Sequence, residues 1–361
     1  MQTPRWAGRL VSIGGRVAVA VVLLWLILSR VDLRKVGAAF GALAPGLAVA
    51  ACAVMLLVGI VTGAKWLVLL RALDIPVTAA TALRLTYIAV TWNLVLPGGE
   101  SGNLVKAALL ARQRPGMAGA VWASMLVDQV ALAAAQSIVA VVTLLLATRQ
   151  PDNLFVWLIA AGIILVGVSL IYAAFLLPIA TQRVDAFMAH LSHWLAVPAW
   201  LRRRSAARDA GVAATPAVPD PAIPPHAPGE WLEPLWLGLT RYRGHVGSIV
   251  ASIGLAILYY AVIFLAYWLA ARGLGIAFSY ADIAWVTAFA GIAALLPITI
   301  AGAGVREGVI TVFLTAHGVA PSLALAFSFA VFALQVVLGI PGVILQFAGG
   351  RERTQMSTDR R

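Results

Sequence analysis

The chain has 361 residues, of which 62% are hydrophobic and only 11% are charged, and its mean hydropathy is +0.94. Soluble domains carry about 25% charged residues, so this composition excludes a soluble globule and predicts an all-α integral membrane protein. The net charge of +12 does not indicate a nucleic-acid partner, because the cations flank apolar segments and no basic recognition motif accompanies them.

The first membrane half, residues 1–177, contains six apolar segments. A spanning helix needs about 20 mostly apolar residues. The first run lacks a small-residue cleavage site and is expected to stay as a helix rather than be removed as a signal peptide. The third run ends at Pro97-Gly98-Gly99, and the fourth is too short to span alone. In order, the segments are Val17–Ser29, Pro45–Leu70, Ala79–Leu96, Leu104–Ala111, Met117–Ala147 and Leu154–Leu177.

Residues 178–244 interrupt the apolar pattern and are predicted to form a cytoplasmic loop. Val184–Leu201 has apolar residues at helical spacing and is followed by three arginines, which is typical of an amphipathic interfacial helix. Gly211–Glu230 is rich in proline and predicts a disordered or polyproline linker. Trp231–Trp236 is expected to return to the membrane interface.

The second membrane half, residues 245–348, repeats the order of long and short segments. Its apolar runs are Val246–Ala271, Ile283–Leu296, Arg306–Ala316 and Pro321–Phe347, and the second of them stops at Pro297. Residues 349–361 are polar and are predicted to form a disordered tail. The fold class is therefore an all-α membrane protein of about six to nine hydrophobic helices, with two Pro/Gly-broken or re-entrant segments.

Residues 96–106 and 296–306 look like two copies of one interrupted segment. In each, an apolar helix is broken by proline, a turn of small residues follows, and a cation lies at the start of the next helix. Paired interrupted segments in the two halves of a chain are the best sequence indication of a transporter's binding site. The matched residues are Leu96, Pro97, Gly102 and Val105 with Leu296, Pro297, Gly302 and Val305, and Lys106 with Arg306.

The distribution of lysine and arginine predicts the orientation. If residues 79–111 and 283–316 are re-entrant hairpins, one side of the membrane holds both termini, the 178–245 loop and most of the 26 cations. The positive-inside rule makes that side cytoplasmic, and the hairpins then enter from opposite faces, as an inverted pseudo-repeat requires. If each limb instead spans fully, the chain has eight or nine helices and the inversion argument weakens.

The two interrupted turns are the candidate substrate site. Irregular backbone at membrane depth is tolerated only where protein or a water-filled cavity covers it. The N–H groups of the following half-helices, with Lys106 and Arg306, would bind an anion such as a lipid phosphate. The alternative is a pair of ordinary turns with snorkelling cations. The turn residues assigned to this site are Gly98, Gly99, Glu100, Gly102, Gly302 and Gly304, of which Glu100 either contacts a headgroup amine or caps the next helix.

Three further residues complete this candidate site. Asp128 lies deep in an apolar segment, where a charge costs about 2.5–3.5 kcal/mol, so it is expected to be protonated or paired with Lys106 or Arg306. It would contact a headgroup amine, couple transport to protons or gate the pathway, or else form a structural ion pair. Glu307 is expected to serve a different partner from Arg306, because adjacent helical residues do not face each other. Asn93 either bonds the broken backbone or lines the cavity.

Sequence motifs of soluble enzymes are absent, including the phosphate-binding loop, the serine-hydrolase elbow and the zinc-protease helix. Cys52 is the only cysteine, which excludes an internal disulfide and a cysteine-based metal cluster. We therefore predict no catalytic residue, metal or cofactor, and we expect transport to depend on an ion gradient, a substrate gradient or a partner.

Several short motifs lie along nearly the whole chain: Asn93 with Leu96-Pro97-Gly98 through Gly102, Asp128, the run Gly302-Ala303-Gly304-Val305-Arg306-Glu307, Gly318, and Gly339-Ile340-Pro341-Gly342. Together they resemble the membrane domain of the lysylphosphatidylglycerol synthases, a family of flippase-like bacterial proteins. Lys106 stands where relatives commonly have arginine, Gln335 stands where they often have a cation, and the 178–244 loop looks like an insertion.

The resemblance implies a flippase-like lipid translocase of the bacterial inner membrane. Its substrate would be a phospholipid or an isoprenoid or hopanoid-type lipid, since some relatives accompany hopanoid biosynthesis, and lipid-biosynthesis enzymes would be its partners. Bifunctional relatives carry a soluble aminoacyl-transferase domain after the membrane part; this sequence ends at Arg361, so synthase activity is not expected. Two other classes stay open: an intramembrane lipid-modifying enzyme using Asp128 or Glu307 as a base, and a non-transporting scaffold of a lipid-synthesis complex.

Overall fold

The computed structural model describes residues 37–38, 41, 43–95, 101–149, 232–294 and 304–358. Within these ranges the chain forms nine α-helices and no β-strand, as expected for an all-α membrane protein. In chain order they are α1 (Pro45–Ala72), α2 (Ala79–Val95), α3 (Ser101–Gln113), α4 (Ala118–Leu146), α5 (Leu232–Arg241), α6 (Val246–Gly273), α7 (Tyr280–Ala294), α8 (Val305–Ala316) and α9 (Pro321–Thr358).

Four of these helices are long and apolar enough to cross a membrane: α1, α4 with the short turn before it, α6, and the part of α9 up to Gln346. The other limbs of the bundle are shorter, with 17 residues in α2, 13 in α3, 15 in α7 and 12 in α8. At 1.5 Å per residue the longest of these reaches about 25 Å, less than the roughly 30 Å hydrocarbon core. Over the residues that the structure describes, none of the four is long enough to span alone.

The short helices pair into two hairpins. In each hairpin the second helix ends beside the start of the first. At the end of α3, Arg114 donates a hydrogen bond to the carbonyl of Pro76, just before α2 (2.9 Å). In the second hairpin Arg149 contacts both limbs: its backbone N–H bonds Asp282 at the start of α7 (2.8 Å), and its guanidinium reaches the carbonyl of His317 at the end of α8 (3.4 Å). His317 is the C-cap of α8.

The two hairpins begin at opposite ends of the bundle. Ala44, at the start of α1, donates a backbone hydrogen bond to Gly273, at the end of α6 (3.0 Å). Helices α1 and α6 are therefore antiparallel, and the hairpins that follow them enter from opposite faces. Each hairpin also packs against a long helix of the other repeat. Thr91 of α2 donates a hydrogen bond to the carbonyl of Gly339 in α9 (2.8 Å), and Gln136 of α4 donates one to the carbonyl of Ala288 in α7 (3.0 Å). This is the inverted pseudo-repeat that the sequence predicts.

A second pair of matching segments, which sequence reasoning missed, connects each long helix to its hairpin. Residues 71–78 and 272–279 close the preceding helix with the same backbone hydrogen bond, from Ile75 to Leu70 (3.1 Å) and from Ile276 to Ala271 (2.9 Å). Each turn has a residue with positive φ, Asp74 at 54° and Gly275 at 81°. Asp74 is the only non-glycine with positive φ among the described residues, and aspartate tolerates that conformation better than most side chains.

Several sequence-based predictions lie outside the described residues. These are the Val17–Ser29 and Leu154–Leu177 helices, the amphipathic helix at 184–201, the Pro-rich linker at 211–230, and Gly98, Gly99, Glu100 and Gly302 of the candidate site.

One other prediction needs correction. Helix α9 continues to Thr358, where a disordered tail was predicted, because residues after Gly350 such as Arg351 and Glu352 favour helix. The segment after Trp231 is a ten-residue helix packed on α4, with the backbone of Pro234 against Gly119, and its return to the membrane interface stays a prediction.

Candidate functional site

The first ionisable cluster is a buried group of three side chains in the first repeat. Lys65 of α1 and Lys106 of α3 each bind one carboxylate oxygen of Asp128 of α4, at 2.7 and 3.0 Å. All three side chains are fully buried. Asp128 is thus paired with Lys106, one of its two predicted partners, and not with Arg306; its second partner, Lys65, was not predicted.

Two lysines around one carboxylate leave this cluster with a formal charge of +1 if all three groups are ionised. The ring of Trp66 stabilises part of this excess positive charge by a cation–π contact, because the Lys106 ammonium lies 4.7 Å from the ring centroid. Trp66 is itself held by a hydrogen bond from its indole N–H to Ser124 (3.2 Å). The three side chains therefore join α1, α3 and α4 at one buried point.

The second cluster lies at the start of α8, in the other repeat. Glu307 accepts a hydrogen bond from the backbone N–H of Gly304 (2.6 Å), the N-cap residue of α8. Its other oxygen binds the guanidinium of Arg306 (2.8 Å). The expectation that Arg306 and Glu307 serve different partners is therefore wrong. The hydrogen bond from the Gly304 N–H turns the Glu307 side chain back over the first turn, where the long Arg306 side chain can reach it.

Arg306 is also tied to two other helices. Its Nη1 donates to the side-chain oxygen of Gln335 in α9 (2.6 Å), and the Gln335 amide donates to the hydroxyl of Tyr267 in α6 (3.1 Å). Gln335 and Gln136 both bond across helices, as polar side chains in membrane bundles commonly do. The chain of contacts from Glu307 to Tyr267 therefore holds α6, α8 and α9 together around the guanidinium.

A cavity of about 190 Å³ lies beside Arg306, where the end of α2 and the start of α8 meet helices of both repeats. Tyr260 and Gln335, near the middles of α6 and of the apolar part of α9, line it, so it lies at mid-depth in the bundle. Its described polar lining is Asn93, Gln136, Tyr259, Tyr260, Tyr267, Thr287, Arg306 and Gln335, and its apolar lining includes Met55, Val90, Ile263, Phe264, Ile310, Val331 and Phe332.

The structure separates the predicted site residues into two groups. Asn93 and Arg306 line the cavity, and Asn93 also accepts a hydrogen bond from the backbone N–H of Gly102 at the start of α3 (2.6 Å). Lys106 and Asp128 are wholly buried and do not line the cavity. The predicted joint anion site of Lys106 and Arg306 is therefore not assembled in this conformation.

Three residues of the two clusters were not among the predicted site residues. Lys65 could have been found, because a lysine inside an apolar 28-residue helix is itself a sign of a buried ionic partner. Gln335 was noted only as a position where relatives often have a cation, and Tyr267 was not singled out. What selects these two is the chain of hydrogen bonds from Arg306 to Gln335 and from Gln335 to Tyr267, which sequence spacing does not reveal.

Gly304 is predicted to be the residue of the second cluster least tolerant of a methyl group. Its φ is 87°, a conformation that side chains other than glycine rarely adopt, so Gly304→Ala should destabilise the folded protein by about 1–3 kcal/mol. Gly247→Ala on α6, where an added Cβ meets nothing within 4 Å, is the matched control. Denaturant unfolding in detergent measures both, and equal effects would show that the backbone of Gly304 is unstrained.

Comparison with known proteins identifies the family. A family model described as the lysylphosphatidylglycerol synthase transmembrane region matches residues 13–342. The chain belongs to this family. In this member of the lysylphosphatidylglycerol synthase transmembrane family, the matched region contains every residue of both ionisable clusters and of the cavity. Neither the curated proteins nor the solved structures compared with the chain contain a significant match.

Proposed function

We propose that this protein is a lipid translocase that moves or presents an amphipathic lipid of the bacterial inner membrane, either a phospholipid or an isoprenoid or hopanoid-type lipid. The observation that carries the proposal is the mid-depth cavity between two inverted repeats, bounded by an end of each half-helix hairpin. Transporters built from inverted repeats bind their substrates at this place. Membership of a family linked to lipid handling supports a lipid as the substrate.

The size and lining of the cavity suit a lipid headgroup rather than a whole lipid. A volume of about 190 Å³ is below the roughly 300–1,000 Å³ of typical small-molecule pockets. The acyl or isoprenoid chains would therefore stay among the lipid-facing side chains. Phe332, which lines the cavity and is 41% exposed, marks where the cavity approaches the apolar surface of α9.

The arginines of the described residues favour an orientation with the 71–84 loop in the cytoplasm. Six of them, Arg71, Arg84, Arg112, Arg114, Arg241 and Arg243, belong to the end of the bundle where α1 and α3 finish and α6 begins. Arg149 and Arg272 belong to the opposite end. This asymmetry follows the positive-inside rule.

Filling the cavity is expected to stop transport. Val90→Trp adds an indole to the cavity wall, and should reduce lipid movement in proteoliposomes at least about tenfold, equivalent to raising the barrier by about 1.4 kcal/mol. Val250→Trp is the matched control, because Val250 is 63% exposed on the lipid-facing side of α6 and is not a lining residue. The assay follows fluorescent phosphatidylglycerol, aminoacyl-phosphatidylglycerol and a hopanoid or polyprenyl lipid between leaflets.

Two outcomes would contradict the translocase. If Val90→Trp and wild type move every lipid at the same rate, the cavity is not on the pathway. If the lipids change mass during the assay, the protein is a lipid-modifying enzyme and not a translocase. The positions of Asp128 and Glu307 favour translocation, because each carboxylate is already held by buried cations or backbone rather than facing the cavity as a base.

A further inference from the structure

The second hairpin, α7 and α8, is fastened to the first repeat by a buried carboxylate. Asp282, in the first turn of α7, is fully buried and accepts hydrogen bonds from the hydroxyl of Thr148 (2.7 Å) and the backbone N–H of Arg149 (2.8 Å). The guanidinium of Arg149 lies over the ring of Phe278 (4.6 Å) and reaches the carbonyl of His317. Thr148 and Arg149 follow α4 closely, so this group, the Asp282 latch, joins the end of α4 to both limbs of the hairpin.

A second polar contact joins α4 to α7 on the wall of the cavity. The side-chain amide of Gln136 donates to the carbonyl of Ala288 (3.0 Å) and accepts from the hydroxyl of Tyr260 (3.1 Å). Helix α4 is itself tied to α1 and α3 of the first repeat by the buried ion pairs of Asp128. The α4–α7 interface is therefore a boundary between the two repeats.

The second hairpin forms one wall of the cavity. Thr287 and Gly291 of α7 and Ile310 of α8 line the cavity together with Gln136 of α4. Movement of the hairpin away from α4 would therefore widen the cavity and open it towards the membrane face where Arg149 lies.

The position of the latch makes it easier to break than the other buried ion cluster. Thr148 and Arg149 are exposed and precede the polar run Gln150-Pro151-Asp152-Asn153, so water can solvate the Asp282 carboxylate when the hairpin moves. Separating Asp128 from its lysines would instead leave charges without partners inside the bundle, which is strongly destabilising. Opening at the Asp282 end is therefore the movement that the buried charges favour.

We propose that the α7–α8 hairpin is the gate of the cavity and that the Asp282 latch holds this gate closed on the side of Arg149. This inference rests on the proposed function, because a gate serves a cavity that exchanges its contents with one membrane face. The gate opens when Asp282 exchanges its bonds with Thr148 and Arg149 for water. Its bonds from Ser279 remain and keep the first turn of α7 intact.

A paired substitution weakens the latch and leaves its carboxylate in place. Thr148→Val and Arg149→Met remove the hydroxyl and the guanidinium, and they keep Asp282, which is also bonded within the turn that starts α7. The matched control combines Thr143→Val with Arg272→Met. The hydroxyl of Thr143 bonds carbonyls of α4 itself, and Arg272 is exposed at the same end of the bundle.

Thiol labelling measures the opening, in a chain that carries Cys52→Ala. Thr287→Cys is the reporter, because Thr287 lines the cavity and is only 5% exposed. We expect the weakened latch to speed its labelling by a membrane-impermeant methanethiosulfonate at least about fivefold from the Arg149 side, as the loss of a hydrogen bond to a carboxylate predicts. The rate from the opposite side should not change. Ala107→Cys, fully buried in the first hairpin, is a second reporter and should stay protected.

The labelling rates decide whether the hairpin is a gate. Equal rates in the weakened and control variants would overturn the proposal. Faster labelling of both cysteines would also overturn it, because it would show that the whole bundle has loosened. These rates do not depend on lipid movement, so the gate can stand even if the proteoliposome assay detects no transport and the proposed function fails.

A reversible cross-link tests whether opening is needed for lipid movement. Thr148→Cys and Asp282→Cys place two thiols where the native side chains touch (2.7 Å). Joining them with a short bifunctional thiol reagent should slow the movement of fluorescent phosphatidylglycerol at least about tenfold relative to the same variant before cross-linking, and cleaving the link should restore it. Unchanged transport by the cross-linked protein would overturn the gate and leave the translocase standing. Failure to cross-link would contradict the contact from which the gate is inferred.

Discussion

Asp128→Asn is expected to cost about 3–5 kcal/mol of unfolding free energy, because it leaves two buried ammonium groups without a counter-charge. Lys65 and Lys106 approach the same carboxylate at 2.7 and 3.0 Å, and none of the three side chains is exposed. Reversible denaturation in mixed micelles measures the loss. The control is Asp74→Asn, whose ion pair with Arg241 at 3.8 Å is solvent-exposed and should contribute less than about 1 kcal/mol.

Further substitutions in the triad separate a structural role from a functional one. Lys65→Met should cost much less than Asp128→Asn, because it leaves a balanced pair of Lys106 and Asp128. The triple variant with Lys65→Met, Lys106→Met and Asp128→Leu should recover most of the stability, since apolar residues can replace a buried ion cluster. A folded triple variant that transports lipid would assign the triad to structure alone, whereas a folded but inactive one would give it a functional role. If Asp128→Asn is no worse than Asp74→Asn, the ion cluster is not holding the helices together.

Gly102→Ala should separate the two limbs of the first hairpin and cost about 3 kcal/mol or more, at the upper end of overpacking effects. A Cβ at this position would fall on the carbonyl of Ala89 and lie 2.7 Å from Oδ1 of Asn93. The nearest obstacle is backbone, which cannot rotate away as a side chain can. The substitution also breaks the short hydrogen bond between Gly102 and Asn93.

Gly254→Ala is the control for this prediction. Gly254 lies in α6 with nothing within 4 Å of an added Cβ, so the alanine should stabilise the helix by up to about 1 kcal/mol. The two substitutions add the same methyl group and should change the unfolding free energy in opposite directions. Because Asn93 also lines the cavity, Gly102→Ala should weaken lipid binding as well. Equal stabilities of the two variants would show that α2 and α3 do not pack as closely as described.

Local features of the sequence determined the class of protein and the bounds of most described elements. Helix α1 was predicted as Pro45–Leu70 and observed as Pro45–Ala72, and α8 was predicted as Arg306–Ala316 and observed as Val305–Ala316. These predictions succeed because apolar length, proline and glycine act within one segment. The recurrence of one interrupted segment at 96–106 and 296–306 similarly indicated two related halves, whose inversion then appears in the antiparallel packing of α1 and α6.

Only the tertiary structure decided how the ionisable residues are partnered. Lys65 and Asp128 are 63 positions apart, and Gln335 is 68 positions from Tyr267. Which buried charge meets which partner depends on the rotation and depth of separate helices, and the sequence pattern of one helix does not encode its register against another. Helix packing therefore encloses Lys106 with Asp128 and leaves Arg306 on the cavity wall, although the two cations occupy equivalent places in the sequence repeat.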